Sequence, residues 1–164
     1  MQLPESEQIE GIKAGSLWPY IKEARLYKCP TGYRGEMLTY AMMTSISGRV
    51  VEGSPVFKKM SDIRQPSKQL FFIDEGWGSS WGYSVKYKQP KWWDQPVTRH
   101  GDGTNFCFAD GHSEYHKWEA LETIKEGRKH ERTWGGDCSH PKPKKAWRVC
   151  SGCREVSGEK SAIH

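Results

Sequence analysis

The segment that most constrains this chain runs from Thr104 to His116. Thr104–Ala109 alternates, with Asn105 and Cys107 set against Phe106 and Phe108, and it leads into Asp110-Gly111 and then His112–His116. Asp-Gly between two alternating runs is a strong short-range hairpin signal, because both residues tolerate the left-handed backbone of a tight turn. Other segments extend the pattern. Leu70–Asp74 contains a continuous apolar run ending in Asp74-Glu75-Gly76, which suits a buried central strand. Leu38–Thr44, within the Tyr- and Met-rich stretch 37–46, reads as a further strand. Glu5–Ala14 is polar with Ile9 and Ile12 on one side, consistent with a short surface helix. Lys117–Gly127 places Trp118, Leu121 and Ile124 at helical spacing, with Gly127 as a C-terminal stop. Cys29-Pro30-Thr31-Gly32 and Gln65-Pro66-Ser67 are breaks, and 77–96 is a long loop rich in Gly and Trp. The expected fold is α+β: a small antiparallel sheet with short helices and long loops.

Only 35% of the 164 residues are apolar, yet there are 8 Trp, 7 Tyr and 5 Phe, too many aromatics for a disordered chain. No run approaches the length of a membrane helix, and residues 1–15 have no apolar signal-peptide core. Charge divides the chain. Met1–Gly127 carry 16 Lys and Arg against 16 Asp and Glu, whereas Arg128–His164 carry 9 against 4, so the net +5 lies in the last stretch. This predicts a folded body over 1–127 and a basic, Cys-containing tail over 128–164. The tail's Lys142, Lys144, Lys145 and Arg148 could meet an acidic partner or a polyanion, while the neutral body disfavours nucleic acid. Trp77, Trp81, Trp92 and Trp93 could stack on sugar rings, or could form a core patch.

Two groups of residues could hold metals. The tail offers Cys138, His140, Cys150 and Cys153, donors for a tetrahedral zinc site, with disulfide pairing as the alternative. The hairpin region concentrates Arg99, His100, Asp102, Asn105, Asp110, Gly111, His112 and His116. His100, Asp110, His112 and His116 could serve a metal-dependent hydrolase, with His112 and His116 on one strand face. Alternatively the segment is architectural: Asp110-Gly111 is the turn, and Arg99 and His100 pin the preceding loop against it.

His100, nine residues and then Asp110-Gly111 resemble the mark of prepilin-like, type II secretion pseudopilin-like proteins. The resemblance extends upstream through Gly15-Ser16-Leu17-Trp18-Pro19-Tyr20, Tyr27-Lys28-Cys29-Pro30, Tyr40-Ala41-Met42 and Pro66-Ser67 to Phe72-Ile73-Asp74-Glu75. Trp118 matches an aromatic that often follows. The match covers roughly Gly15–Trp118. The basic leader and apolar N-terminal helix of such proteins are not in this sequence, and the tail is an addition to their pattern.

The resemblance implies a non-enzymatic structural subunit: the head of an envelope filament or type II secretion pseudopilus, with other pilin-like subunits as partners. Membrane attachment would come only through an N-terminal helix. Major pseudopilins are associated with a calcium-binding loop, for which Asp102 and Asp110 are the acidic candidates here. The rival expectations are the hydrolase and a carbohydrate- or polyanion-binding module.

Overall fold

The computed structural model describes residues 3–32, 34–50, 55–75, 82–85, 94 and 96–130. These residues form an α+β fold built on a four-stranded antiparallel meander. The strands are β1 (Tyr40–Met42), β2 (Leu70–Asp74), β3 (Gly103–Phe108) and β4 (Ser113–Lys117), hydrogen-bonded in chain order. Two helices accompany them, α1 (Glu5–Lys13) and α2 (Leu121–His130). No helix among the described residues is long and apolar enough to cross a membrane.

The hairpin forms where the alternation places it. Phe108 N–H donates to the His112 carbonyl and Gly111 N–H to the Phe108 carbonyl, at 2.9 and 3.0 Å. Gly111 has φ 93°, so the turn needs a residue that tolerates left-handed backbone. Strand β2 has the predicted bounds, and its pairing with β3 slips by one residue between Leu70 and Phe72. Such a bulge bends the strand and sharpens its twist.

Strand β1 is shorter than the predicted Leu38–Thr44. Tyr40, Ala41 and Met42 pair with β2 in register with Asp74, Ile73 and Phe72, and Met43 N–H adds a last bond to the Phe71 carbonyl at 2.9 Å. At Met43 the chain departs to bridge Tyr83, and Thr44 N–H donates to the Tyr83 carbonyl at 2.9 Å. Helix α2 also differs from its prediction. It starts at Leu121, because Trp118 is committed elsewhere, with its indole N–H on the Val97 carbonyl at 2.7 Å. It also runs through Gly127 to His130. Gly127 is a packing contact instead of a stop: a Cβ there would lie 2.4 Å from Thr98 Cγ2 and 2.7 Å from the Pro96 carbonyl oxygen.

One face of the sheet carries the core, in which Ala41, Ile73, Phe106 and Phe108 pack with Tyr83, Val85 and Trp118. Because side chains alternate along a strand, Tyr40, Phe72 and Asp74 project from the other face. Helix α1 contributes at the margin. It buries Ile12, and the Gln8 side chain bridges to the Gly35 carbonyl and the Met37 N–H at 2.7 and 3.0 Å.

Candidate functional site

Asp74 ends β2 on the face away from the core. Its side chain has no solvent exposure. An ionised carboxylate in that position requires positive or hydrogen-bonding partners, and the segment 99–100 supplies both. Arg99 Nη2 donates to Oδ1, and His100 Nε2 lies 2.5 Å from Oδ2. The Arg99 and His100 side chains are only 9% and 17% exposed, so the whole arrangement is largely withdrawn from water.

The same imidazole nitrogen faces a thiol. Cys29 is buried, and its Sγ lies 3.5 Å from His100 Nε2 and 3.2 Å from Thr31 Oγ1. Cys29 sits at the start of the Cys29–Gly32 turn, which closes with Gly32 N–H on the Cys29 carbonyl at 2.8 Å. Tyr40, paired with Asp74 across β1 and β2, completes the group. Burial raises the Tyr40 hydroxyl above its ordinary pKa, the neighbouring Cys29 and Asp74 raise it further, and Arg99 opposes them.

Hydroxyl groups fix the backbone beneath each of the three central residues. Cys29 N–H donates to Thr39 Oγ1 at 2.7 Å. Thr104 Oγ1 donates to the Asp74 carbonyl at 3.0 Å. Tyr115 Oη donates to the His100 carbonyl at 2.7 Å. Gly103 makes room for that last contact, since a Cβ there would come within 2.6 Å of Tyr115 Oη and 2.3 Å of the His116 carbonyl oxygen.

One donor atom from each of Cys29, Asp74 and His100 lies within 4.8 Å of the others, so the cluster could hold a metal ion. Sequence reasoning missed Cys29 and Asp74 as members. The sequence separations are 71 residues from Cys29 to His100 and 26 from Asp74 to His100. The signal that pointed toward them was their presence in the segments that carry the family resemblance.

The predicted grouping of His100 with Asp110, His112 and His116 is not what the fold builds. His100 precedes β3 and Asp110 follows it. Nine residues separate them, six of them extended in β3 at about 3.4 Å each, so the two residues lie near opposite ends of the hairpin. Arg99 and His100 therefore pin their loop to Asp74 on β2, not to the Asp110 turn. Asp110 instead accepts from His112, with Nδ1 at 2.5 Å and the backbone N–H at 3.2 Å. Glu114 Oε1 approaches the other ring nitrogen at 3.3 Å, and the His112 ring stacks on Phe108 at 4.4 Å. His116 packs as an aromatic, stacked on Phe106 and edge-on to Trp118. Burial lowers its pKa, whereas Asp110 chiefly raises that of His112.

The two acidic calcium candidates are engaged separately. Arg128 on α2 grips Asp102 through both carboxylate oxygens, at 2.9 and 2.7 Å. Asp102 also holds φ 64° while its carbonyl accepts from Trp118 N–H at 2.8 Å. Asn105 lies on β3 with an exposed side chain, opposite Tyr115. The tail residues Cys138, His140, Cys150 and Cys153, and the loop residues Trp77, Trp81, Trp92 and Trp93, lie outside the described residues. No family model, curated protein or solved structure matches this chain.

Proposed function

We propose that the body is the structural head of a pilin-like subunit, acting in an envelope filament or type II secretion pseudopilus with other pilin-like subunits as partners. One observation carries the reading. Four segments that resemble that family, Tyr27–Pro30, Tyr40–Met42, Phe72–Glu75 and the run from Arg99 to Gly111, contribute to a single, partly buried cluster of Cys29, Tyr40, Asp74, Arg99 and His100. In this reading the motif is a clasp that fastens the loop before the hairpin to the centre of the sheet.

The geometry favours a clasp over a nucleophilic triad. In a triad the carboxylate holds one imidazole nitrogen so that the other can take the nucleophile's proton. Here Asp74 and Cys29 approach the same nitrogen of His100. On the metals first expected, zinc on Cys138, His140, Cys150 and Cys153 would be a separate staple of the tail. Calcium between Asp102 and Asp110 loses support, because Arg128 and His112 occupy those carboxylates.

The test is the native protein purified from the envelope fraction of its source cells. Intact-mass and terminal-peptide analysis should find an apolar helix with a processed, N-methylated first residue upstream of residue 1, and in-cell cross-linking should give ladders of pilin-like subunits. A native chain that begins at Met1 and is recovered as a free monomer would overturn the reading.

A further inference from the structure

We propose that Cys29, Asp74 and His100 form a zinc site, an inference that does not depend on the filament reading. The donors are a thiol sulfur, an imidazole nitrogen and a carboxylate oxygen, all directed at one another inside the protein. Zinc takes this mixture of sulfur, nitrogen and oxygen ligands, usually four of them in a tetrahedron. Calcium and magnesium require larger sets of oxygen donors, which this cluster lacks.

The spacing fits. Metal–ligand bonds of about 2.0–2.3 Å at tetrahedral angles place neighbouring donors about 3.2–3.7 Å apart. Cys29 Sγ and His100 Nε2 are 3.5 Å apart. His100 Nε2 and Asp74 Oδ2 are 2.5 Å apart, a short hydrogen bond with a proton between them that lies below that range. Zinc replaces that proton, and Oδ2 turns away by somewhat less than 1 Å to make room. The thiol proton leaves to solvent, and the proton between Nε2 and Oδ2 moves to Nδ1 or to solvent. The fourth position falls to a water or to the hydroxyl of Tyr40, which interacts with Cys29.

The surroundings are those of a prepared site. Metal-binding carboxylates are themselves held by hydrogen bonds. Arg99 occupies Oδ1 of Asp74 and leaves Oδ2 as the donor that faces the imidazole. Thr39, Thr104 and Tyr115 fix the backbone of Cys29, Asp74 and His100 respectively. Entry is from the His100 side, where the ring retains some exposure while Cys29 and Asp74 do not.

The experiment uses the full chain with Cys107, Cys138, Cys150 and Cys153 all changed to Ser, so that Cys29 is the only thiol. Retention of the fold is checked by circular dichroism. This protein is titrated with cobalt(II), a spectroscopic substitute for zinc, and then with zinc. The expected result is a thiolate-to-cobalt charge-transfer band in the near ultraviolet, saturating at one ion per chain and abolished by stoichiometric zinc. Zinc should also raise the thermal midpoint. In the parent chain the Cys107→Ser change alone should leave uptake at this site unaltered. A folded single-thiol protein that gives no such band with micromolar cobalt and takes up no zinc in equilibrium dialysis would overturn the proposal. Because the only thiolate in that protein is Cys29, the result stands whether or not a Cys29→Ala chain folds.

Discussion

Among the described residues two histidines lie 2.5 Å from an aspartate, His100 on Asp74 and His112 on Asp110. The two contacts have the same length and different consequences. Asp74 is sealed from solvent among Arg99, His100 and Cys29, whereas the Asp110–His112 pair stands at the hairpin tip with both side chains about one-third exposed. Water screens the exposed pair and hydrates either partner when the other is lost. Inside the protein neither compensation exists, and an abandoned charge bears its full desolvation cost. Surroundings, not separation, decide what each pair does for the fold.

The largest expected effect comes from breaking the inner pair. Asp74→Ala removes the carboxylate that Arg99, with its side chain 9% exposed, and His100 share. A buried ion pair that loses one member typically costs about 3–5 kcal/mol. Urea unfolding of the variant should show that loss, with Asp110→Ala as the exposed counterpart. A loss below about 1 kcal/mol for Asp74→Ala, the ordinary value of an exposed pair, would dissolve the contrast.

A second route to the inner pair goes through its support. Gly103→Ala would drive a methyl group against the His116 carbonyl oxygen and against Tyr115, whose hydroxyl holds the His100 carbonyl. Backbone cannot yield as a flexible side chain does, so a loss of about 1–3 kcal/mol is expected, as for other overpacked sites. Tyr115→Phe removes only the hydroxyl and should cost less, about 1 kcal/mol. The idea that Gly103 is required for this contact fails if the two variants melt together with the parent.

How much of this was visible in the sequence follows from how local each feature is. Strand β2 and the 104–116 hairpin were legible because their patterns repeat every two residues and their turn is encoded by adjacent Asp and Gly. The extent of β1 was not, because past Met42 the chain turns to bridge Tyr83, a partner distant in sequence, although β2 runs on to Leu70. The cluster was half legible. Arg99 and His100 stood out as neighbours, and proximity in sequence assigned them to Asp110. Their true partner became visible only when β2 was laid beside β3, which brings Asp74 to the end of the hairpin that Asp110 does not occupy.

A third aspartate sharpens the comparison because it is half-buried with weaker compensation. Asp94 accepts from Ser84 N–H at 2.5 Å, with Arg49 as a lesser charge influence, and burial pushes its pKa up to about 6. Its folded value lies above the ordinary 3.8, so the folded state holds the proton more tightly than the unfolded state. Stability therefore declines as pH rises from about 4 to above 6, by an expected 1–2 kcal/mol or so. Asp94→Asn keeps an acceptor for Ser84 and removes the charge. The variant should lose most of that pH dependence in denaturant titrations at pH 4.5 and 7.5, and an unchanged slope would show that Asp94 is not its source.

The smallest effects belong to the hairpin tip, where they appear in titration more clearly than in stability. His112 precedes β4 and His116 lies on it, and their surroundings act in opposite directions. Asp110 raises His112 above 6.5, so this contribution is fully present below that pH and is lost as pH rises through the folded value. Burial against Phe106 and Trp118 lowers His116 below 6.5, so acidification opposes folding there, because the unfolded chain takes up its proton first. Proton NMR of the two rings should give midpoints on either side of 6.5. Asp110→Asn should bring the His112 midpoint down toward the ordinary value and leave His116 where it was. Movement of both midpoints together would mean that the charge at the tip reaches the packed ring, and that the tip and the core margin do not titrate independently.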